Sequence, residues 1–212
     1  MQTRHFGTSE LQSSVIGFGT WPIGGARYGR SDDREAIAAI HAALDEGITC
    51  FDTAPSYGNG HAEELLGKTL DPRRSEVIIV TKGGLIWDEQ SHIIGRSSQR
   101  HHLLSQIDDS LRRLKSDYVD IYLIHWPDPS TPIAEVMGAL EEIVRSGKAR
   151  YIGVSNFKSS QLREAAAVLK EHRLVANQLS FSLFDRRWER ETFDTCRQLG
   201  IGVMAYGALA HG

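Results

Sequence analysis

The sequence predicts an α/β protein of the (β/α)8 barrel type, with about seven of the barrel's strands present in its 212 residues. Two observations carry this. Short β-rich apolar runs alternate with longer segments whose apolar residues recur at helical spacing, and that alternation implies parallel strands joined by right-handed crossovers. The repeat from strand to strand is roughly 30 residues, the length that eight units in a ~250-residue barrel require. A third observation is negative. The glycines of GFGTWPIGG, at 17, 19, 24 and 25, match neither GxGxxG nor a Walker loop, which argues against a doubly wound nucleotide fold.

The elements follow in order. Residues 4–14, RHFGTSELQSS, alternate loosely around a Gly-containing turn and are expected to form a hairpin closing the bottom of the barrel. The β-rich runs then cover 15–18, 48–51, 77–81, 118–124, 150–154, 175–179 and 201–205. Between the third and fourth, Leu104, Ile107, Leu111 and Leu114 share one helical face. Between the fourth and fifth, Ile133, Val136, Met137, Leu140, Ile143 and Val144 do the same. Three helices end at a glycine, Gly47, Gly147 and Gly200, and run directly into the next strand. A closed barrel needs eight strands. Residues 1–212 are therefore expected to be a single barrel domain lacking its last β/α units, either a piece of a longer parent or its ordered part, with two strand edges left without partners.

Composition narrows the class. Hydrophobic residues make up 41% and charged residues 24%, as in ordinary globular proteins, and the net charge of -3 offers no basic stripe for nucleic acid. The two cysteines, Cys50 and Cys196, lie in apolar segments with no CxxC spacing, which favours a reducing cytoplasm and argues against structural zinc. The opening MQTRHFGTSEL has no signal-peptide character, and no apolar run approaches the ~20 residues of a membrane span.

Barrel chemistry sits at the C-terminal ends of strands. The polar residues there are Asp52, with Tyr57 close behind it, then Lys82, His125, Ser155, Asn156, Asn177, Gln178 and Tyr206. A carboxylate, a phenol, an ammonium and an imidazole at one mouth are the parts of a general-acid site. A phenol titrates near ~10 in water, and a neighbouring Lys82 ammonium, kept charged by Asp52, is expected to lower it. His125 is placed to donate a hydrogen bond to a substrate oxygen that gains negative charge. The set suits carbonyl reduction with Tyr57 delivering the proton, and the hydride must then come from a cofactor, because no side chain supplies one.

Seven ordered segments carry a family resemblance: GFGTWPIGG, FDTAPSYGNGHAEELLGKTL, VTKGG, DYVDIYLIHWPDP, GKARYIGVSNF, NQLSFSLFDR and IGVMAYGALAHG. Together they resemble the aldo-keto reductase superfamily, nearer its bacterial reductases and channel β-subunit-like members than its aldose reductase branch. The resemblance implies a (β/α)8 barrel using a nicotinamide coenzyme, usually NADPH, with NADH also open, to reduce aldehydes or ketones. It implies a catalytic tetrad of Asp52, Tyr57, Lys82 and His125, nicotinamide-carboxamide contacts from Ser155, Asn156 and Gln178, and a ring-stacking Tyr206. The segments that hold the coenzyme's phosphates in relatives fall after Gly212, so coenzyme preference and strong binding by residues 1–212 alone stay open. So does oligomeric state.

Several residues have blander readings. Asp52 could cap a turn, but its fixed gap to Tyr57 favours function. Lys82 and His125 could be an exposed lysine and a core histidine, yet the order Asp, Tyr, Lys, His at successive strand ends argues otherwise. Trp21, Trp87 and Trp126 could be core or could wall a substrate pocket. His92, His101 and His102 are expected at the surface rather than on a metal, and Cys50 is expected to pack. The expected partner is a small carbonyl compound, with no nucleic acid or membrane. The competing readings are a regulatory subunit that holds nicotinamide coenzyme with slow or no turnover, and an inactive truncated form.

Overall fold

The computed structural model describes residues 1–25, 29, 31–90 and 92–210. A hairpin, β1 (Thr3–His5) and β2 (Gln12–Ser14), precedes the first parallel strand, β3 (Gly17–Gly19). Then follow α1 (Asp33–Asp45), β4 (Cys50–Asp52), α2 (His61–Leu70) and β5 (Ile78–Gly83). A second hairpin, β6 (Leu85–Trp87) with β7 (Ile93–Arg96), interrupts the alternation. It resumes with α3 (Arg100–Leu114), β8 (Val119–Ile124), α4 (Ile133–Arg145), β9 (Ala149–Ser155), α5 (Ser159–Val168), β10 (Leu174–Ser180), α6 (Glu191–Leu199) and β11 (Gly202–Tyr206). The seven principal strands form one parallel sheet in the order β3-β4-β5-β8-β9-β10-β11.

The sheet curls as a barrel does, so that β3 and β11 at its two ends line a common cavity, while each has one strand neighbour among the described residues. The seven strands coincide with the seven apolar runs of the sequence to within two residues. Helix-ending glycines lie where the pattern placed them, Gly147 at φ 77° and Gly200 at φ 70°, a region that costs side-chain-bearing residues strain.

Two apolar layers sandwich the sheet. The outer one, between sheet and helices, holds Phe51, Ile79, Tyr122 and Ile152 against Ile107, Leu114, Met137, Leu140 and Ile143 from α3 and α4. The inner one is small: Cys50, Ile78, Val80, Ile121, Leu123, Val175 and Ala176, with Tyr151 and Met204 packed on it. The first hairpin lies under the inner layer. Thr8 N–H donates to Gly200 O at 2.9 Å, and Ser14 and Thr49 exchange two bonds of 3.0 Å, so the hairpin bridges the N-terminal ends of β11 and β4.

Candidate active site

The two-residue period of a strand decides which side chains reach the mouth. Asp52 is two residues beyond Cys50, Lys82 two beyond Val80, His125 two beyond Leu123, Gln178 two beyond Ala176 and Tyr206 two beyond Met204, all members or neighbours of the inner layer. They continue that face upward, past the end of the apolar plug. Strand pairing fixes their relative heights: Asp52 lies opposite Val80, Lys82 opposite Leu123, and Gln178 opposite Ser155.

Lys82 is the hub. Its side chain is 0% exposed and its ammonium donates to Asp52 Oδ1 at 2.9 Å and Oδ2 at 2.8 Å, to Thr53 O at 2.9 Å, and reaches Tyr57 Oη at 3.2 Å. Burial works against the ammonium, but the Asp52 charge and the Tyr57 contact outweigh it and hold the Lys82 pKa above its ordinary value. Behind β5, on the helix side, buried Glu63 accepts from Thr81 Oγ1 at 2.6 Å and from Arg113 Nε at 2.7 Å, anchoring the strand one residue before Lys82.

Tyr57 reaches the site from the loop between β4 and α2 rather than from a strand. Its ring stands edge-on to His125, with centroids 5.9 Å apart and planes at 81°. The structure corrects one expectation here. Burial pushes the Tyr57 phenol up and Lys82 pulls it down, and burial prevails, so the phenol lies above its ordinary range rather than below it. His125 is driven well below the ordinary imidazole value, by burial first and by the Lys82 charge second, and is neutral near pH 7.

A second cluster adjoins the first. Asn156 adopts a left-handed backbone, φ 63°, uncommon for a residue with a side chain. In that conformation its N–H donates to Gln178 O at 2.9 Å, its Nδ2 to His125 O at 3.1 Å and to Ser155 Oγ at 2.9 Å, and its Oδ1 accepts from Tyr206 Oη at 2.9 Å. Ser155 Oγ donates to Gln178 O at 2.9 Å. Gln178 Nε2 donates to Asp52 Oδ1 at 2.7 Å, which ties the two clusters together and which the sequence did not reveal.

All eight site residues predicted from sequence except buried Lys82 line one cavity of about 2050 Å³. Trp21 and Trp126 also line it and Trp87 does not; Trp188, which sequence reasoning passed over, does. Cys50 and Cys196 are buried, unpaired thiols, and burial raises Cys50 to about 12. Among the described residues no cluster of His, Cys, Asp or Glu could hold a metal ion, and no helix is long and apolar enough to cross a membrane.

Comparison with known proteins places this fold and cavity in a family. The chain matches the family model of the Aldo/keto reductase family over residues 15–212 and belongs to that family. It is similar to the aldo-keto reductase YhdN of Bacillus subtilis strain 168, with 39% identity covering 95% of this chain and 60% of YhdN. It is also similar to the NADH-specific methylglyoxal reductase of Escherichia coli K12, 35% identical over 97% of this chain and 67% of that protein. Among solved structures, the glycerol dehydrogenase AKR11B4 from Gluconobacter oxydans superposes with a TM-score of 0.89 at 38% identity, covering 99% of this chain and 64% of that one. The chain thus spans about three fifths to two thirds of the length of these relatives.

Proposed function

We propose that the protein reduces aldehydes or ketones to alcohols with a nicotinamide coenzyme, NADPH with NADH also open, Tyr57 being the proton donor. One observation carries this reading: a fully buried ammonium, Lys82, held bidentately by Asp52 and in contact with the Tyr57 phenol on the wall of a large cavity. Because Tyr57 Oη accepts from Lys82, its own proton is left to donate into the cavity. In the resting site that proton is held firmly, since burial raises the phenol. As the proton leaves, the phenolate that forms is met by the Lys82 ammonium, which Asp52 keeps charged and in place. Neutral His125 offers one N–H to the same substrate oxygen.

The donor chemistry of the second cluster fits a carboxamide-bearing aromatic ring. Two side-chain amides, Asn156 and Gln178, and the Ser155 hydroxyl stand beside the half-buried ring of Tyr206 on the cavity wall. These four residues would hold the nicotinamide, which when bound supplies the hydride that no side chain can. Gln178 would then exchange its bond to Asp52 for one to the carboxamide. The free, buried thiols are in keeping with a cytoplasmic protein.

The test is turnover of methylglyoxal and 4-nitrobenzaldehyde with NADPH and with NADH, in parallel with a coenzyme fluorescence titration. NADH belongs in the assay because one relative is named as specific for it. Tyr57→Phe is expected to lower kcat by about 10²- to 10⁴-fold while leaving coenzyme binding within about twofold. Full activity in Tyr57→Phe would remove it as the donor. Coenzyme binding without turnover in the unaltered protein would favour a binding subunit over an enzyme.

A further inference from the structure

The hairpin β6–β7 leaves the end of β5 and returns beside the loop that follows β8, placing Arg96 over that loop. Arg96 Nη1 donates to Pro127 O at 2.9 Å, and its Cζ lies 5.1 Å from the centroid of the Trp126 ring. These two contacts orient the guanidinium plane. Its side-on edge, Nε with Nη2, has no hydrogen-bond partner among the described residues, and Arg96 forms no ion pair there. Elsewhere in the chain that same edge grips carboxylates: Arg100 on Glu142, Arg186 on Glu189 and Arg187 on Asp185 each bond through Nε and Nη2 together.

The carboxylate nearest in the chain to Pro127 does not fill the edge. Asp128 accepts instead from Ser98 N at 2.8 Å, Ser130 N at 2.9 Å, Ser130 Oγ at 2.6 Å and Thr131 Oγ1 at 2.6 Å. Arg96, Trp126 and Pro127 line the same cavity as Tyr57 and His125. Two residues of extended chain span at most ~7 Å, so the guanidinium contact at Pro127 O lies within about 10 Å of the His125 backbone. It lies at the β5 and β8 strands of the site, and β8 neighbours β9, the first of the strands carrying the residues proposed to hold nicotinamide.

We infer that Arg96 recognises the substrate, and that the site prefers carbonyl compounds carrying a carboxylate, which the Nε/Nη2 edge binds through both oxygens while the reacting carbonyl lies at Tyr57 and His125. The inference rests on the reductase reading of that site. A guanidinium already oriented by a carbonyl and an aromatic face loses less freedom on meeting the carboxylate than an unrestrained one.

The experiment compares straight-chain ω-oxocarboxylates of three to six carbons with their methyl esters, in the unaltered protein and in Arg96→Gln. At the best chain length, the acid should exceed its ester in kcat/KM by about tenfold to a hundredfold. Arg96→Gln should remove that preference, leaving ester turnover and the coenzyme KM within about twofold. Equal turnover of acid and ester by the unaltered protein overturns the inference, as does an equal loss for both in Arg96→Gln or a loss confined to the coenzyme KM. Absence of turnover with every compound, esters included, would instead be a failure of the reductase reading. Tryptophan emission titrated with 5-oxopentanoate needs no turnover: half-saturation should rise at least about tenfold in Arg96→Gln, and an unchanged curve overturns the inference in its own right.

Discussion

Replacing Lys82 with Met keeps most of the side chain's volume and removes its charge, so it tests whether the ion pair is held as described. The pair is close, 2.8 Å between Lys82 Nζ and Asp52 Oδ2, with Lys82 at 0% and Asp52 at 18% exposure. At an effective dielectric near ~20 the attraction at that distance is about 6 kcal/mol, most of it offset by desolvating two ions. Removing one partner leaves the desolvation of the other uncompensated, a loss of about 3–5 kcal/mol. Asp52 retains some solvent and the Gln178 N–H at 2.7 Å, which places the expected loss toward the lower figure, about 3 kcal/mol. Adding Asp52→Asn removes the stranded carboxylate, so the double variant should recover about 2 kcal/mol relative to Lys82→Met alone. Urea unfolding followed by far-UV circular dichroism measures both. A loss under about 1 kcal/mol in Lys82→Met, the range of exposed ion pairs, would refute the reasoning, as would a double variant no more stable than the single one.

Two further outcomes follow from buried polar groups. His125 is held below its ordinary value near 6.5, so between its folded and unfolded pKa values the unfolded chain binds the extra proton. Its contribution to stability is complete above about pH 6.5 and is lost as pH falls below that. The urea midpoint should therefore decline from pH 7.5 to 5.5 less steeply in His125→Gln than in the unaltered protein; parallel declines would contradict a buried neutral imidazole. The Tyr122 hydroxyl is buried without a hydrogen-bond partner among the described residues, and a Cβ added at Gly83 would collide with it. Tyr122→Phe should match or exceed the unaltered protein's stability by up to about 1 kcal/mol; destabilisation by more than about 1 kcal/mol in thermal unfolding would mean the hydroxyl is bonded.

Much of this architecture is legible in the sequence because strand and helix periods are local. The seven apolar runs mark the seven parallel strands, and counting two residues past each inner-layer side chain finds Asp52, Lys82, His125, Gln178 and Tyr206. Tyr57 has no such signal, since it comes from a loop; its place close behind Asp52 singled it out as the phenol of the mouth, and the resemblance to a family motif then agreed. The hairpin β6–β7 was illegible: its strands have three and four residues, and Ile86, Ile93 and Ile94 are exposed, so no alternation of buried and exposed positions betrays them. With it went Arg96. The direction of the Tyr57 shift was also out of reach, because it is the difference between burial and the Lys82 charge, and burial is known only once the cavity is built. The Asp52–Gln178 bond belongs to the same class, a pairing between two residues each correctly placed at the mouth and each assigned to a different task.

That bond joins residues 126 positions apart. Asp52, Tyr57 and Lys82 can come together once β4 and β5 pair, but the acceptor orientation of Asp52 is completed only when β10 has been laid down beyond β8 and β9. The site is therefore complete only in a chain whose sheet runs unbroken from β4 to β10, because one of its bonds is a contact of high sequence separation. A ligand that engages residues from both ends of this span would bind only chains whose sheet is complete from β4 to β10, and would hold that span closed against local opening.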